Sequence, residues 1–321
     1  MFSYVRRENP LEKVLLFGDP GIDDSLAIIY GLLHPEIEIV GIVTSYGNVT
    51  KEQTTRNAVY LLQLAGRTDI PVISGASLPF LNGFTAYYPE IHGAEGLGPI
   101  QPPESVASIP IHNFSLILSI VEKYKEELTI VDVGRSTSLA IALNLWKETM
   151  QSIKEIYIMS GVFLQPGNVS PVAEANAYGD PVSTRFVFNQ SKNLTIIPLN
   201  VTNAAILLPN EAEYIAEHTT TPFKSLIKPI YDYYFSAYKK LNPSIKGAPL
   251  HDVVAMSAIV NPDFLQYMYR KVEIDLESLR GQTVADFRPG AKAEGARIGL
   301  KLNQKQFINN FMEIMIDRGT N

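Results

Sequence analysis

Short apolar runs alternating with longer stretches of helical periodicity constrain this chain more than any other feature. Runs at 14–17, 37–45, 71–74, 128–133, 156–159 and 194–199 are rich in Val, Ile and Leu and too short for buried helices, so they read as strands. Between or after them, 25–33, 51–65, 113–125, 137–148, 180–189 and 210–218 carry the apolar spacing of helices. Such alternation favours parallel strands, because each helix acts as the crossover that brings the next strand back alongside the last. The expected class is α/β, with an open, mostly parallel sheet covered by helices on both faces. Beyond 199 the pattern is helical at 222–241 and 251–260, then extended from 271, with a closing helix at 304–318. No repeat or Ser/Gly linker interrupts the chain, so one domain spanning 1–321 is the simplest division.

Composition narrows the partners. A net charge of −6 and the absence of any Lys/Arg run leave no basic footprint for nucleic-acid phosphates or anionic lipid. Cysteine is absent, which excludes disulfides, thiolate nucleophiles and cysteine-ligated zinc and fits a reducing compartment. The N-terminal region reaches only four consecutive apolar residues, and no run of about 18 follows, so neither export nor membrane insertion is expected. A cytoplasmic protein is the expectation.

The chemistry concentrates in Phe17-Gly-Asp-Pro-Gly-Ile-Asp-Asp24, which sets Asp19, Asp23 and Asp24 between the first strand and the first helix. One Asp there is explained by capping of free helix N–H groups. Three carboxylates within six residues repel one another unless a cation lies between them, so a bound divalent ion is expected. The turn lies at the carboxyl end of a strand, where open α/β sheets bind ligands. It is not a Walker loop, a dinucleotide loop or an EF-hand, since the Gly-Lys-Ser/Thr, Gly-x-Gly-x-x-Gly and twelve-residue ligand patterns are all missing. The loops at 77–103 and 160–171 exceed the usual connection length and are expected to line the site.

This turn resembles the Asp-x-Asp-Pro-Gly-x-Asp-Asp signature of the nucleoside hydrolases, calcium-dependent enzymes that split ribonucleosides into base and ribose. Further segments follow in the family's order: Thr44-Ser-Tyr-Gly-Asn48, His92-Gly93, Tyr157-Ile-Met-Ser-Gly161, Asn168, Ala173-Glu-Ala-Asn176, Asp180-Pro181, His251-Asp252 and Thr283-Val-Ala-Asp-Phe287. The resemblance covers nearly the whole chain and implies the family's mixed, Rossmann-like sheet. It also implies that Asp19, Asp24, Asp252 and the backbone carbonyl near Val133 ligate Ca²⁺, an all-oxygen set of the kind calcium favours. Asp19 would be the general base acting on a water that the metal acidifies. Asp23, Asn48, Asn168, Glu174 and Asn176 match ribose-binding positions, with Met159 at the end of its strand beside them. His251 would protonate or hydrogen-bond the leaving base, His92 would approach it, and Tyr234 and Tyr238 would line its pocket. The substrate implied is a small ribonucleoside, and the usual assembly a homodimer or homotetramer.

The bland readings are loop polarity for the Asn residues, a core stripe for the tyrosines of 222–241, and structural roles for His34, His112 and His218. The sequence departs from the pattern at two places. Phe17 stands at the first Asp of the signature, and Asp132-Val-Gly-Arg-Ser-Thr-Ser138 replaces a common Gly-Pro-Leu-Thr-Asn turn. Asp132 is expected to restore part of the charge lost at Phe17, the alternative being that Arg135 neutralises Asp132. Two other functions remain open on sequence: a nucleoside or ribose binder without turnover, and a metal-dependent phosphatase with an Asp nucleophile, although no second Asp two residues on and no phosphate-binding cation are evident.

Overall fold

The continuous apolar run Val14-Leu-Leu-Phe17 is at most 2% exposed, as a strand buried on both faces must be, and it occupies the interior of a sheet that has nine strands among the described residues. This computed structural model describes residues 11–81, 85–104, 106 and 109–316. Residues 82–84 of the 77–103 loop, the last two residues of the expected 304–318 helix and both chain ends lie outside the described residues.

The chain runs from β1 (Glu12–Gly18) through α1 (Ile22–Leu33) to β2 (Ile37–Thr44), then through α2 (Lys51–Leu64) to β3 (Val72–Ser74) and the edge strand β4 (Ile111–His112). It then returns to lay β5 (Leu128–Asp132) along the other flank of β1, and continues outward with β6 (Glu155–Met159) and β7 (Leu194–Ile197). All of these pair in parallel, with Phe17 opposite Val43 of β2 and opposite Asp132 of β5. Ala296–Leu302 adds in parallel to β7, and Leu265–Arg270 closes that edge antiparallel, giving the mixed sheet expected. The order reverses between β1 and β5, which opens a crevice at their carboxyl ends. Asp19 and Val133 are the first residues beyond those two strands.

The strand alternation divides the core in two. Val14, Leu16, Val131 and Val133 face α1, α2 and the helices Lys224–Leu241, His251–Ala258 and Gln304–Ile316. Leu15, Phe17, Ile130 and Ile158 face Leu116–Tyr124, Thr137–Leu145 and Pro181–Gln190. Phe17 is therefore a core residue, and burial of its ring contributes about 1.5–3 kcal/mol.

Several boundaries differ from expectation for local reasons. α1 starts at Ile22 rather than at 25, because Gly21 is its N-cap and Asp24 reaches back to accept from the Gly21 N–H. Asp23 and Asp24 thus belong to the first helical turn. The final extended region begins at Leu265, before the expected 271, and β4 is an exposed two-residue strand without apolar signal. Among the described residues no helix is long and apolar enough to cross a membrane.

Candidate active site

Two helix N-termini, those of α1 and of His251–Ala258, converge at the crevice, and each carries acidic residues in its first turn. Oxygen atoms of Asp23, Asp24 and Asp252 lie within 4.8 Å of one another, and all three side chains are buried. Asp19 lies against this trio rather than inside it. Its Oδ2 accepts from the Asn48 N–H at 2.6 Å, while Asp24 Oδ1 accepts from the Asp19 N–H at 3.0 Å. The Asn48 side-chain amide donates to Asp24 Oδ2 at 2.8 Å and to the Asp19 carbonyl at 3.3 Å. Two glycines make room for this carboxylate: a Cβ on Gly47 would fall 1.8 Å from Asp19 Oδ2, and one on Gly134 would fall 2.6 Å from Oδ1.

Removal from water and mutual repulsion push these carboxyls upward. Asp19 is raised well above its ordinary value by burial and the charge of Asp24, against the pull of Arg135 and the Asn48 amide. Burial, then Asp24, pushes Asp23 up to about 7, and the Tyr234 hydroxyl opposes the rise. Asp252 is raised well above its ordinary value by burial and then by Asp23, Asp24, Asp19 and Glu174. Asp24 is raised by burial while the Gly21 and Asp19 N–H groups hold it down. Asp23 Oδ1 has no hydrogen-bond partner among the described residues. A compact, all-oxygen donor set with an unpartnered buried oxygen fits a hard divalent cation, which would relieve the repulsion at its source.

The remaining candidates surround the same cavity. Asp23, Asn48, His92, Val133, Met159, Asn168, Glu174, Asn176, Tyr234, Tyr238, His251 and Asp252 all line it, whereas Asp19 and Asp24, hydrogen-bonded to the backbone and side chain of Asn48 respectively, are not part of its lining. Glu174 caps the short helix Ala175–Gly179, accepting from the Asn176, Ala177 and Gly161 N–H groups, so its carboxylate is fixed. The Asn176 side-chain amide donates to the carbonyls of Val133 at 2.9 Å and Met159 at 3.0 Å, which leaves the Val133 oxygen a second lone pair. Asn168 Oδ1 accepts from the Ala175 N–H at 2.9 Å.

Around the same cavity the Tyr238 hydroxyl lies 3.0 Å from His251 Nε2, and His251 Nδ1 lies 2.8 Å from the Thr202 hydroxyl. Burial pushes His251 down to about 4, so it is neutral at pH 7. His92 Nδ1 accepts from the Ile22 N–H at 3.1 Å, and burial first, then the proximity of His251, which disfavours protonating both rings, pushes it down to about 3. Its 3.8 Å approach to Asp23 Oδ1 is therefore not an ion pair. The Tyr234 ring packs between His92 and Tyr238, with centroids 5.7 and 4.8 Å away.

Sequence reasoning missed Thr202, and it missed Tyr88, Ile91, Val169 and Leu241, which with Ala175 complete the lining. The length of the loops bearing Tyr88, Ile91 and Val169 was their only sequence signal; Thr202 and Leu241 had none. Arg135, the counter-charge considered for Asp132, has no resolved influence on that carboxyl and acts instead on Asp19, favouring its ionised form. Asp132, opposite Phe17 in the sheet, stands outside the carboxylate trio. Burial pushes it up to about 7, the Ser136 hydroxyl and Gly134 N–H oppose the rise, and its Oδ2 has no partner among the described residues.

Residues 14–309 match the family described as inosine-uridine preferring nucleoside hydrolase. The chain is 34% identical over 277 residues to uridine nucleosidase 1 of Arabidopsis thaliana, covering 86% of this chain and 82% of that protein. It is 32% identical over 301 residues to the inosine-uridine preferring nucleoside hydrolase of Leishmania major, covering 92% and 94% respectively. Among solved structures, the purine-preferring ribonucleoside hydrolase from Gardnerella vaginalis superposes with a TM-score of 0.87 at 30% identity, covering 94% of this chain and 98% of that one.

Proposed function

The chain belongs to the inosine-uridine preferring nucleoside hydrolase family, and on that premise we propose that it hydrolyses the N-glycosidic bond of ribonucleosides with Asp19 as general base and Ca²⁺ as cofactor. The observation that carries this reading is that one cavity is lined by Asp23 and Asp252 of the carboxylate trio and by a neutral His251–Tyr238 pair. The carboxylates suit activation of water and the pair suits a departing base.

Asp24, Asp252, Asp19 and the Val133 carbonyl are the proposed ligands, and Asp23 sits close enough to share the ion's charge. When bound, the cation supplies Lewis acidity that lowers the pKa of a water and orients the ribose hydroxyls. Asp19, held by the Asn48 amide, accepts the proton of the attacking water as its oxygen bonds to C1′. The electrons of the C1′–N bond pass to the base, which His251 and Tyr238 meet with a hydrogen bond or proton. Positive charge building on the ribose is stabilised by the surrounding carboxylates, Glu174 among them, and Asp23, Asn48, Asn168 and Asn176 orient the sugar. Tyr234 and His92 flank the base. One catalytic domain, assembly as a homodimer or homotetramer and a cytoplasmic location belong to the same proposal.

The test is a panel of purine and pyrimidine nucleosides incubated with Ca²⁺ and then with chelator, with free ribose as the readout. Ribose release that chelation abolishes supports the reading. Binding without release would indicate the silent binder that Phe17 suggests, and phosphate release from a phosphate ester would indicate a phosphatase instead.

Two variants probe the two groups separately. His251→Ala is expected to reduce kcat by on the order of 10²-fold on nucleosides but far less on an aryl riboside, whose leaving group departs as an anion without a proton. Equal losses on both substrates would remove His251 from the leaving-group role. Gly47→Ala places a methyl group on the Asp19 carboxylate, so it is expected to depress both calcium affinity and ribose release; wild-type values in calorimetry and in the sugar assay would contradict that.

A further inference from the structure

Arg135 occupies the turn after β5, and it is only 2% exposed. A buried arginine is costly unless its charge and donors are met. Its guanidinium donates to carbonyls on two separate loops, that of Gly47 at 3.3 Å and that of Ala86. The Tyr46 ring packs against it at 4.9 Å and the Tyr88 ring lies 6.0 Å away. Gly179 supplies the space, since a Cβ there would fall 2.3 Å from Arg135 Nε.

Each carbonyl leads to a functional wall. Gly47 directly precedes Asn48, whose N–H holds Asp19 and whose side chain holds Asp24. Ala86 lies two residues before Tyr88, which lines the cavity and donates its N–H to the Asn48 carbonyl at 2.8 Å. Tyr88 also caps the short helix Pro89–His92, which brings Ile91 and His92 to the cavity. Both carbonyls accept from one nitrogen, Nη2, while Nη1 has no hydrogen-bond partner among the described residues and the guanidinium lies against the Tyr46 ring. A lysine ammonium, one bond shorter and without that plane, does not reach both carbonyls and keep the ring contact.

We propose that Arg135 is a positioning residue that ties the cavity rim, from Tyr88 to His92, to the turn that holds Asp19, so that one strut sets both the base-side wall and the water-activating carboxylate. The proposal rests on Asp19 as general base. Arg135 itself is not part of the cavity lining.

The test compares wild type, Arg135→Ala and Arg135→Lys by hydrogen exchange and by steady-state ribose release. Faster exchange is expected in both variants in peptides covering Asn48 and Tyr88 together, with β7 and the helix Gln304–Ile316 unchanged. KM is expected to rise and kcat to fall, with a combined loss on the order of 10²-fold. Millimolar guanidinium ion, far below denaturing levels, is expected to restore Arg135→Ala but not Arg135→Lys, whose side chain fills the space. Unchanged exchange in either peptide, a uniform rise across the protein, or no rescue by guanidinium would overturn the strut. Absence of ribose release from the wild-type protein would refute the hydrolase reading alone, because the exchange comparison still decides whether Arg135 couples the two loops.

Discussion

Asp19→Asn is expected to lower kcat for nucleoside cleavage by about 10²–10⁴-fold, the range for loss of a general base, while raising the melting temperature of the metal-free protein. The two effects share one cause. Asp19 is buried beside Asp24 and Asp23, and its charged form is disfavoured by desolvation first and by those neighbours second. An amide keeps an oxygen to accept from the Asn48 N–H, so the local geometry survives while one like charge disappears. The lost function is the capacity to take a proton. Ribose-release kinetics and thermal melts in chelator test the two halves, and a variant with wild-type kcat would remove Asp19 from the mechanism.

Removal of the metal is expected to reverse the pH dependence of stability. Asp23 has a folded value of about 7 against an ordinary 3.8, and Asp19, Asp24 and Asp252 are raised in the same direction. Between those two values the folded state holds a proton that the unfolded chain has released, so the metal-free protein loses stability as pH rises. The slope is up to about 1.4 kcal/mol per pH unit for each such group. The advantage is complete below the unfolded value and gone above the folded one. A bound cation favours the ionised carboxylates, so the melting-temperature gain from saturating Ca²⁺ should grow from about pH 5 to pH 8. A gain that stays flat or shrinks across that range would show that these carboxylates do not hold the ion.

Much of this was legible in the sequence because the signals were local. The interior parallel strands are predominantly apolar, and Asp19, Asp23, Asp24, His251 and Asp252 sit at element ends where spacing reveals them. The resemblance supplied the proposed roles; of those residues the fold brings Asp23, His251 and Asp252 to the lining of one cavity, with Asp19 and Asp24 beside them outside it. What escaped depends on contacts between distant segments. Thr202 meets His251 across 49 residues, and Arg135 meets Ala86 across an equal separation, with no periodicity to announce either. Asp132 reads as one more site carboxylate, yet register with Phe17 sets it outside the trio. Alternation along a strand gives a residue's face, but only the packed sheet shows what that face meets.

The most direct measurement is a calcium titration of metal-stripped protein, with ion binding and ribose release followed in the same samples. One Ca²⁺ per chain is expected, with turnover rising in proportion to occupancy and Asp24→Asn and Asp252→Asn each abolishing both. Full ribose release from the stripped protein, or tight calcium binding that survives loss of Asp24 and Asp252, would contradict a metal-assisted hydrolysis centred on these carboxylates.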